Sequence, residues 1–183
     1  MRYLEERGVG FDTGFAKVPL VCQSCIYDLG LGRADVRPDA RMGYDACLDA
    51  EHNSPFCGSR GAGTGASVGK LYGMERAMKS GLGICAVQAG ELKMAAVVAV
   101  NALGDIVDPS CGQRIAGLRT EDGTGFADSC REMYKISRKT DLFAGNTTIG
   151  AVVTNGRFSK AEMGKIASMT RCAYARCIYP VGT

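Results

Sequence analysis

Hydrophobic and polar positions alternate in two distinct ways along the chain. Between residues 81 and 108, GLGICAVQAGELKMAAVVAVNALGDIVD, apolar runs rich in β-branched residues are broken at Ala89-Gly90-Glu91 and again at Leu103-Gly104-Asp105. That spacing predicts three strands joined by two tight turns, an antiparallel meander. Its central run, Met94 to Val100, is apolar almost throughout, as expected of a strand covered on both faces. IGAVVTN (149–155) predicts another buried strand. Helical spacing takes over after it: Ser159 and Glu162 form a capping box, flanked by Phe158 and Met163 at the positions of a hydrophobic staple. Ile166, Ala167, Ala173, Tyr174 and Cys177 continue an apolar stripe that Tyr179-Pro180 ends.

Upstream the pattern is less regular. Leu4 belongs to a helical turn ended by Gly8, VPLV (18–21) and SCIYDLG (24–30) read as short extended pieces, and Pro38-Asp39 opens a helix with Met42, Tyr44, Cys47 and Leu48 on its apolar side. A glycine-rich loop covers 58–73. Residues 109–125 read as a long irregular connection and 126–136 as a short helix. Strands in runs with helices outside them predict a layered α+β domain spanning 1–183 rather than a βαβ repeat.

Composition narrows the function classes. The chain has 183 residues, 46% of them hydrophobic and 22% charged, enough to bury roughly 70% of the surface of its unfolded form. The net charge of +3 is spread without a basic block, which argues against nucleic acid as a partner and for a small molecule. The longest charge-free stretch, Met94 to Gly104, is about half of what a bilayer span needs, and the N-terminus reads LEERG rather than an apolar signal core. A soluble, cytoplasmic protein with no membrane partner is the expectation. The nine cysteines then read as reduced, buried thiols rather than a disulfide framework. An alternative is a metal-binding module built from Cys22, Cys25, Cys47 and Cys57, with Cys22-Gln-Ser-Cys25 as its CxxC.

Familiar catalytic sets are missing. There is no GxSxG and no HExxH, and the sole histidine, His52, lies in a polar loop-like stretch. The glycine-rich loop fails the Walker pattern at Thr64 and Leu71, and its match to the looser dinucleotide string, Gly61 to Ala66, follows no clear strand. A hydroxyl nucleophile can do without histidine if its own α-amine is free, because an amine with a pKa near 8 can take the proton. Gly145-Asn146-Thr147, a flexible glycine and a turn-tolerant asparagine before a hydroxyl and a strand, supplies what such a terminus needs for its own release. Read without further context, Asn146-Thr147 is a weak motif, since Asn-Thr at the entrance of a strand is usually just a turn.

The neighbourhood adds more. IYDLG, RPDARMGYDAC, GAGTGASVGK, VVAVNALGDIVD and NTTIGAVVTN occur in this order, and together they resemble the P1 family of peptidases, the L-aminopeptidase/D-esterases and nylon-oligomer hydrolases, over nearly the whole chain. The resemblance implies a self-processing N-terminal-nucleophile hydrolase with a four-layer αββα sandwich. It implies a cut between Asn146 and Thr147 into an α piece, 1–146, and a β piece, 147–183, with Thr147 as nucleophile. Lys70 matches a lysine that holds the hydroxyl, Asn101 an amide donor to the oxyanion, and Tyr27 a second donor or substrate-orienting group. Considered alone, these three read as a loop charge, a strand-end turn former and a half-buried strand aromatic. The family implies small peptides or amino-acid amides as substrates, a homo-oligomer for the full-length enzyme, and neither cofactor nor metal.

Two departures stand out. The family's glycine-rich segment upstream of the first helix has no counterpart here, and Pro180-Val181-Gly182-Thr183 stands where the family reads Pro-x-His-Thr and goes on to an Asp-Gly-Asp motif. Both suggest an internal fragment of a longer enzyme. A second reading follows: an inactive remnant that folds partially or by association with another chain, through sheet edges left open.

Overall fold

A computed structural model describes residues 1–136 and 145–182; Asp141 to Ala144 of the segment before the expected cut, and Thr183, lie outside the described residues. The chain divides into two compact units, Met1–Cys25 with Arg33–Pro55, and Ile26–Gly32 with Phe56–Thr183.

The first unit holds helix α1 (Arg2–Glu6), strands β1 (Phe11–Asp12) and β2 (Lys17–Val18), and helix α2 (Ala40–Ala50). Gly8, at φ +64°, turns the chain after α1 as expected. Asp39 caps α2, its carboxylate accepting from the Met42 amide at 2.7 Å. The two helices are tied by Glu51, which accepts from the Tyr3 hydroxyl at 2.5 Å and from Arg7 at 2.6 Å. On the expected apolar side of α2, Tyr44 and Cys47 are half-buried while Met42 and Leu48 stay exposed. The stretch 18–21 contributes only Val18 to a strand, and 24–30 forms none, against the extended reading of both. IYDLG has no partner strand in the described structure; it is a loop whose side chains serve the site described below.

The second unit contains a 3-10 turn at Gly61–Gly63, then β3 (Ser67–Val68), β4 (Met78–Lys79), β5 (Leu82–Ala89), β6 (Leu92–Asn101), β7 (Asp105–Val107), β8 (Arg114–Ala116), helix α3 (Ser129–Met133), β9 (Thr147–Thr154), helix α4 (Lys160–Cys177) and β10 (Ile178–Tyr179). All strand pairs are antiparallel. The meander is realised only in its first hairpin. Strand β5 pairs with β6 over its full length, but β7 leaves them for a separate sheet, ordered β10-β7-β8, and the other side of β6 is taken by β9. The reason is the turn at Ala102–Gly104. Ala102 is drawn into one core cluster with Val68 and Ile178, and Leu103 into another with Leu71 and Leu118, so the chain passes between two cores instead of folding back. The supposed irregular connection contains β8, which gives β7 its second neighbour.

Strand β6 is not covered evenly on both faces. Burial rises along it, from exposed Leu92, Lys93 and Met94 to buried Ala99 and Asn101. Strand β9 likewise is half-buried at Thr147 to Ile149 and exposed at Gly150, Ala151 and Val153, an edge strand where a buried one was expected. The thiols depart from expectation in the same way: all nine cysteines are free, six are exposed and three are of intermediate burial. Among the described residues no cluster of three or more His, Cys, Asp or Glu side chains could hold a metal ion; of the alternative set, Cys22, Cys25 and Cys47 belong to the first unit and Cys57 to the second. No described helix is long and apolar enough to cross a membrane.

The local reading of α4 holds. Ser159 accepts from the Glu162 amide while the Glu162 carboxylate accepts from the Ser159 amide at 2.7 Å, completing the capping box. The half-buried stripe is Met163, Ile166, Thr170, Tyr174 and Cys177; Ala167 and Ala173 face outward. Ser129 and its neighbours form the short helix expected in 126–136, capped by Asp128.

Candidate active site

Lys70 and Asn101 are fixed by the two core clusters. Val68 is fully buried in one cluster and Leu71 in the other, which stretches Gly69-Lys70 between them. Gly69, at φ +68°, lies flat against the backbone of Gly117 and Leu118; a Cβ there would collide with both. Its amide donates to Gly104 O and the Lys70 amide to Leu103 O, each at 3.1 Å. Asn101, 1% exposed, ends β6 on the other side of this strap.

The two side chains meet. Lys70 Nζ donates to Asn101 Oδ1 at 2.8 Å, to Asn101 O at 3.2 Å and to Gly145 O at 2.9 Å. Asn101 Nδ2 donates to Gly145 O at 3.1 Å and to Tyr27 O at 2.9 Å, and its Oδ1 also accepts from the Ser67 amide at 3.1 Å. Every hydrogen-bonding position of the buried amide is therefore used. The carbonyl of Gly145 is gripped by two donors, one of them cationic, in the manner of a site that stabilises negative charge on oxygen. Gly145 has φ +90°, and its Cα lies so close under the Tyr27 ring that a Cβ would approach Tyr27 Cδ1 to 2.8 Å.

Thr147 begins β9 as the register partner of Asn101. Opposed residues of an antiparallel pair project to the same face, so Thr147 and Asn101 share a face of the sheet. The structure thus brings Tyr27, Lys70, Asn101 and the segment Gly145 to Thr147 together. The acceptors of Lys70 are Asn101 and Gly145; the Thr147 hydroxyl is not among them, and Tyr27 enters through its main-chain oxygen and its ring, with 61% of the residue exposed. Two cavities flank the Asn146-Thr147 bond. One, of roughly 320 Å³, is lined by Tyr27, Asp28, Lys70, Leu103, Gly145 and Asn146. The other, of roughly 620 Å³, is lined by Asn146, Thr147, Arg171, Tyr174, Ile178 and Pro180.

Burial pushes the Lys70 ammonium down to about 8, opposed by the Asp28 carboxylate, which favours the charged form. A lysine so placed exchanges its proton near neutral pH. Three supporting residues escaped the motif reading. Ser67 orients Asn101. Lys79, whose pKa is also lowered by burial, donates to the carbonyls of Gly63, Ala66 and Ser80 and so holds the turn before β3. Asp105, fully buried, accepts from the Leu118 and Ser129 amides, the Ser129 hydroxyl and Arg114, and so joins β7, β8 and α3. Ser67, Asp28 and Asp105 lie within quoted motifs, GAGTGASVGK, IYDLG and VVAVNALGDIVD, and that was their one sequence signal.

No family model matches the chain. Among curated proteins, it is 32% identical over an alignment of 193 residues to an uncharacterized aminopeptidase of Mycobacterium leprae (strain TN), which takes in 100% of this chain and 51% of that protein. It is 31% identical over 179 residues to the 6-aminohexanoate-oligomer endohydrolase of Kocuria sp. (strain KY2), covering 94% of this chain and 49% of the relative. The endohydrolase of the same description from Paenarthrobacter ureafaciens is 33% identical over 178 residues, with 93% and 48% covered. The chain is a homologue of these aminopeptidases and endohydrolases. As a homologue of P1-type peptidases it spans about half the length of the curated relatives it matches, and the resemblance carried by its motifs stands.

Proposed function

We propose that this P1-type homologue is the part of an amide hydrolase that carries its nucleophile, Thr147, and that the nucleophile is released by the chain's own cleavage of the Asn146-Thr147 bond. The Thr147 hydroxyl attacks the Asn146 carbonyl carbon and passes its proton to neutral Lys70. The C–N bond breaks as the threonine nitrogen takes up a proton, leaving an ester between Asn146 and Thr147. Water splits the ester into an Asn146 carboxylate and a Thr147 with a free α-amine. That amine then serves as base in attack on an external amide, while Asn101 Nδ2 and Lys70 Nζ donate to the oxyanion. The observation that carries the reading is the pairing of Thr147 with Asn101, next to a lysine that burial has shifted to about 8. The relatives' names support peptides or amino-acid amides as the substrate class. For the full-length protein we propose a four-layer αββα sandwich, assembled as a homo-oligomer in the cytoplasm.

Intact mass tests this directly. The wild-type chain is expected as pieces of 146 and 37 residues, and Thr147→Ala as a whole chain. A folded wild-type chain that stays whole overturns the reading.

One observation favours the second reading, an inactive remnant completed by another chain. Strands β5 and β9 are the edges of their sheet, and Val87 and Met94 on one face and Val153 on the other remain exposed. Folded, uncut wild-type protein that self-associates is the outcome this reading expects.

A further inference from the structure

The larger of the two cavities beside the Asn146-Thr147 bond holds a cation the reaction does not use. Helical spacing sets Arg171, Tyr174, Ala175 and Ile178 of the α4–β10 segment along one row, at i, i+3, i+4 and i+7, and all four line this cavity. Arg171 is the one charged side chain among the described residues that line it. Among the described residues Arg171 makes no ion pair and no side-chain hydrogen bond. Among the described residues Arg157 and Arg176 likewise make none, whereas Arg2, Arg7, Arg33, Arg41 and Arg131 each face a carboxylate. Tyr174 lies over Gly150, where a Cβ would stand 2.6 Å from its hydroxyl, and burial raises its pKa, so the hydroxyl keeps its proton as a donor.

The chain's own peptide runs from one cavity into the other. Gly145, on the acyl side, lines only the smaller cavity, with Lys70; Asn146 lines both; Thr147 and Thr148, on the amine side, line only the larger one, with Arg171. We infer that the larger cavity receives the leaving-group half of a substrate and that Arg171 binds a carboxylate on it, selecting amides whose amine product is itself an amino acid. This rests on the reading of Thr147 as the nucleophile. A guanidinium suits the task because its planar fork accepts a carboxylate through two parallel hydrogen bonds.

The experiment needs no turnover. The whole wild-type chain is titrated with 6-aminohexanoate and with 6-aminohexanamide, which differ in the carboxylate alone, and binding is followed by NMR on the Arg171 side-chain Nε–H. The carboxylate is expected to bind at least tenfold tighter than the amide at low salt, with the gap narrowing as salt is raised. Arg171→Gln is expected to erase the gap, and Arg171→Lys to restore part of it. Equal binding of the two probes to the wild type, or a gap that survives in a folded Arg171→Gln chain, overturns the inference. Should Arg171→Gln fail to fold, the wild-type comparison and its salt dependence still decide. Self-cleavage, read separately by intact mass, tells a failure of this inference from a failure of the nucleophile assignment.

Discussion

Asn101 and Thr147 face each other across the β6–β9 ladder, the last residue of one strand opposite the first of the other. Asn101 is at the same time the acceptor for Lys70 and the donor to Gly145 O. Asn101→Ala would remove the amide proposed as oxyanion donor, strip one of the two donors that hold the Gly145 carbonyl beside the bond to be cut, and leave the Lys70 ammonium short of an acceptor. The expected result is self-cleavage slowed by about a hundred- to a thousandfold, followed by intact mass over time, and a loss of about 1–3 kcal/mol in stability by urea unfolding.

Lys70 ties the reaction to pH. Its pKa falls from an ordinary 10.5 to about 8 in the folded chain, so between these values the unfolded state holds more protons than the native state. Stability therefore rises with pH through that window: the burden of the buried ammonium is full below about 8 and gone above 10.5. Self-cleavage, for which the proposed mechanism draws on the neutral amine, is expected to climb through pH 8 and level off above it. Lys70→Arg keeps the charge and the hydrogen bonds but holds its proton throughout, so its rate is expected to drop by about a hundredfold or more and to lose the rise near pH 8. Quench-flow samples analysed by mass across pH 6–10, a range set by those two values, give the profile.

Gly145 is expected to resist any side chain. In Gly145→Ala the φ of +90° and the Tyr27 ring both oppose the new methyl, at a cost of about 1–2 kcal/mol, and the carbonyl is pushed out of its donors. Self-cleavage slows accordingly. Adding Tyr27→Ala removes the clash but not the backbone strain, so the double variant is expected to recover part of the rate, measured by the same mass assay.

Asp105 is the least replaceable polar residue outside the site. Asp105→Ala would leave the Leu118 and Ser129 amides and part of the Arg114 guanidinium without their acceptor, a loss of about 3–5 kcal/mol. Thermal or urea unfolding checks it. Ser159→Ala, which removes an exposed cap, is the comparison and should cost about 1 kcal/mol.

What the chain disclosed in its letters follows how local each determinant is. The capping box of α4, the cap of α2 and the β5–β6 hairpin depend on neighbours a few residues away, and all were legible. The path of the strand after Asn101 was not. It is decided by Ala102 and Leu103 entering two different clusters whose other members lie tens of residues distant. The site divides in the same way. Tyr27, Lys70, Asn101 and Thr147 were found through motifs, whereas Ser67, Asp28 and Arg171 owe their positions to the folded chain. Cysteine exposure is not legible in the sequence, because composition carries no information about which sheet faces stay open.

The strap that carries Lys70 has no thickness to spare at the residue before it. Because Gly69 rests directly on the peptide between Gly117 and Leu118, any larger residue there acts as a wedge, lifting the ammonium away from Asn101 without touching either partner. The glycines of this loop thus resemble a nucleotide cradle only in spelling: what the one at position 69 accommodates is a neighbouring stretch of main chain, and the half-buried lysine owes its address to that empty space.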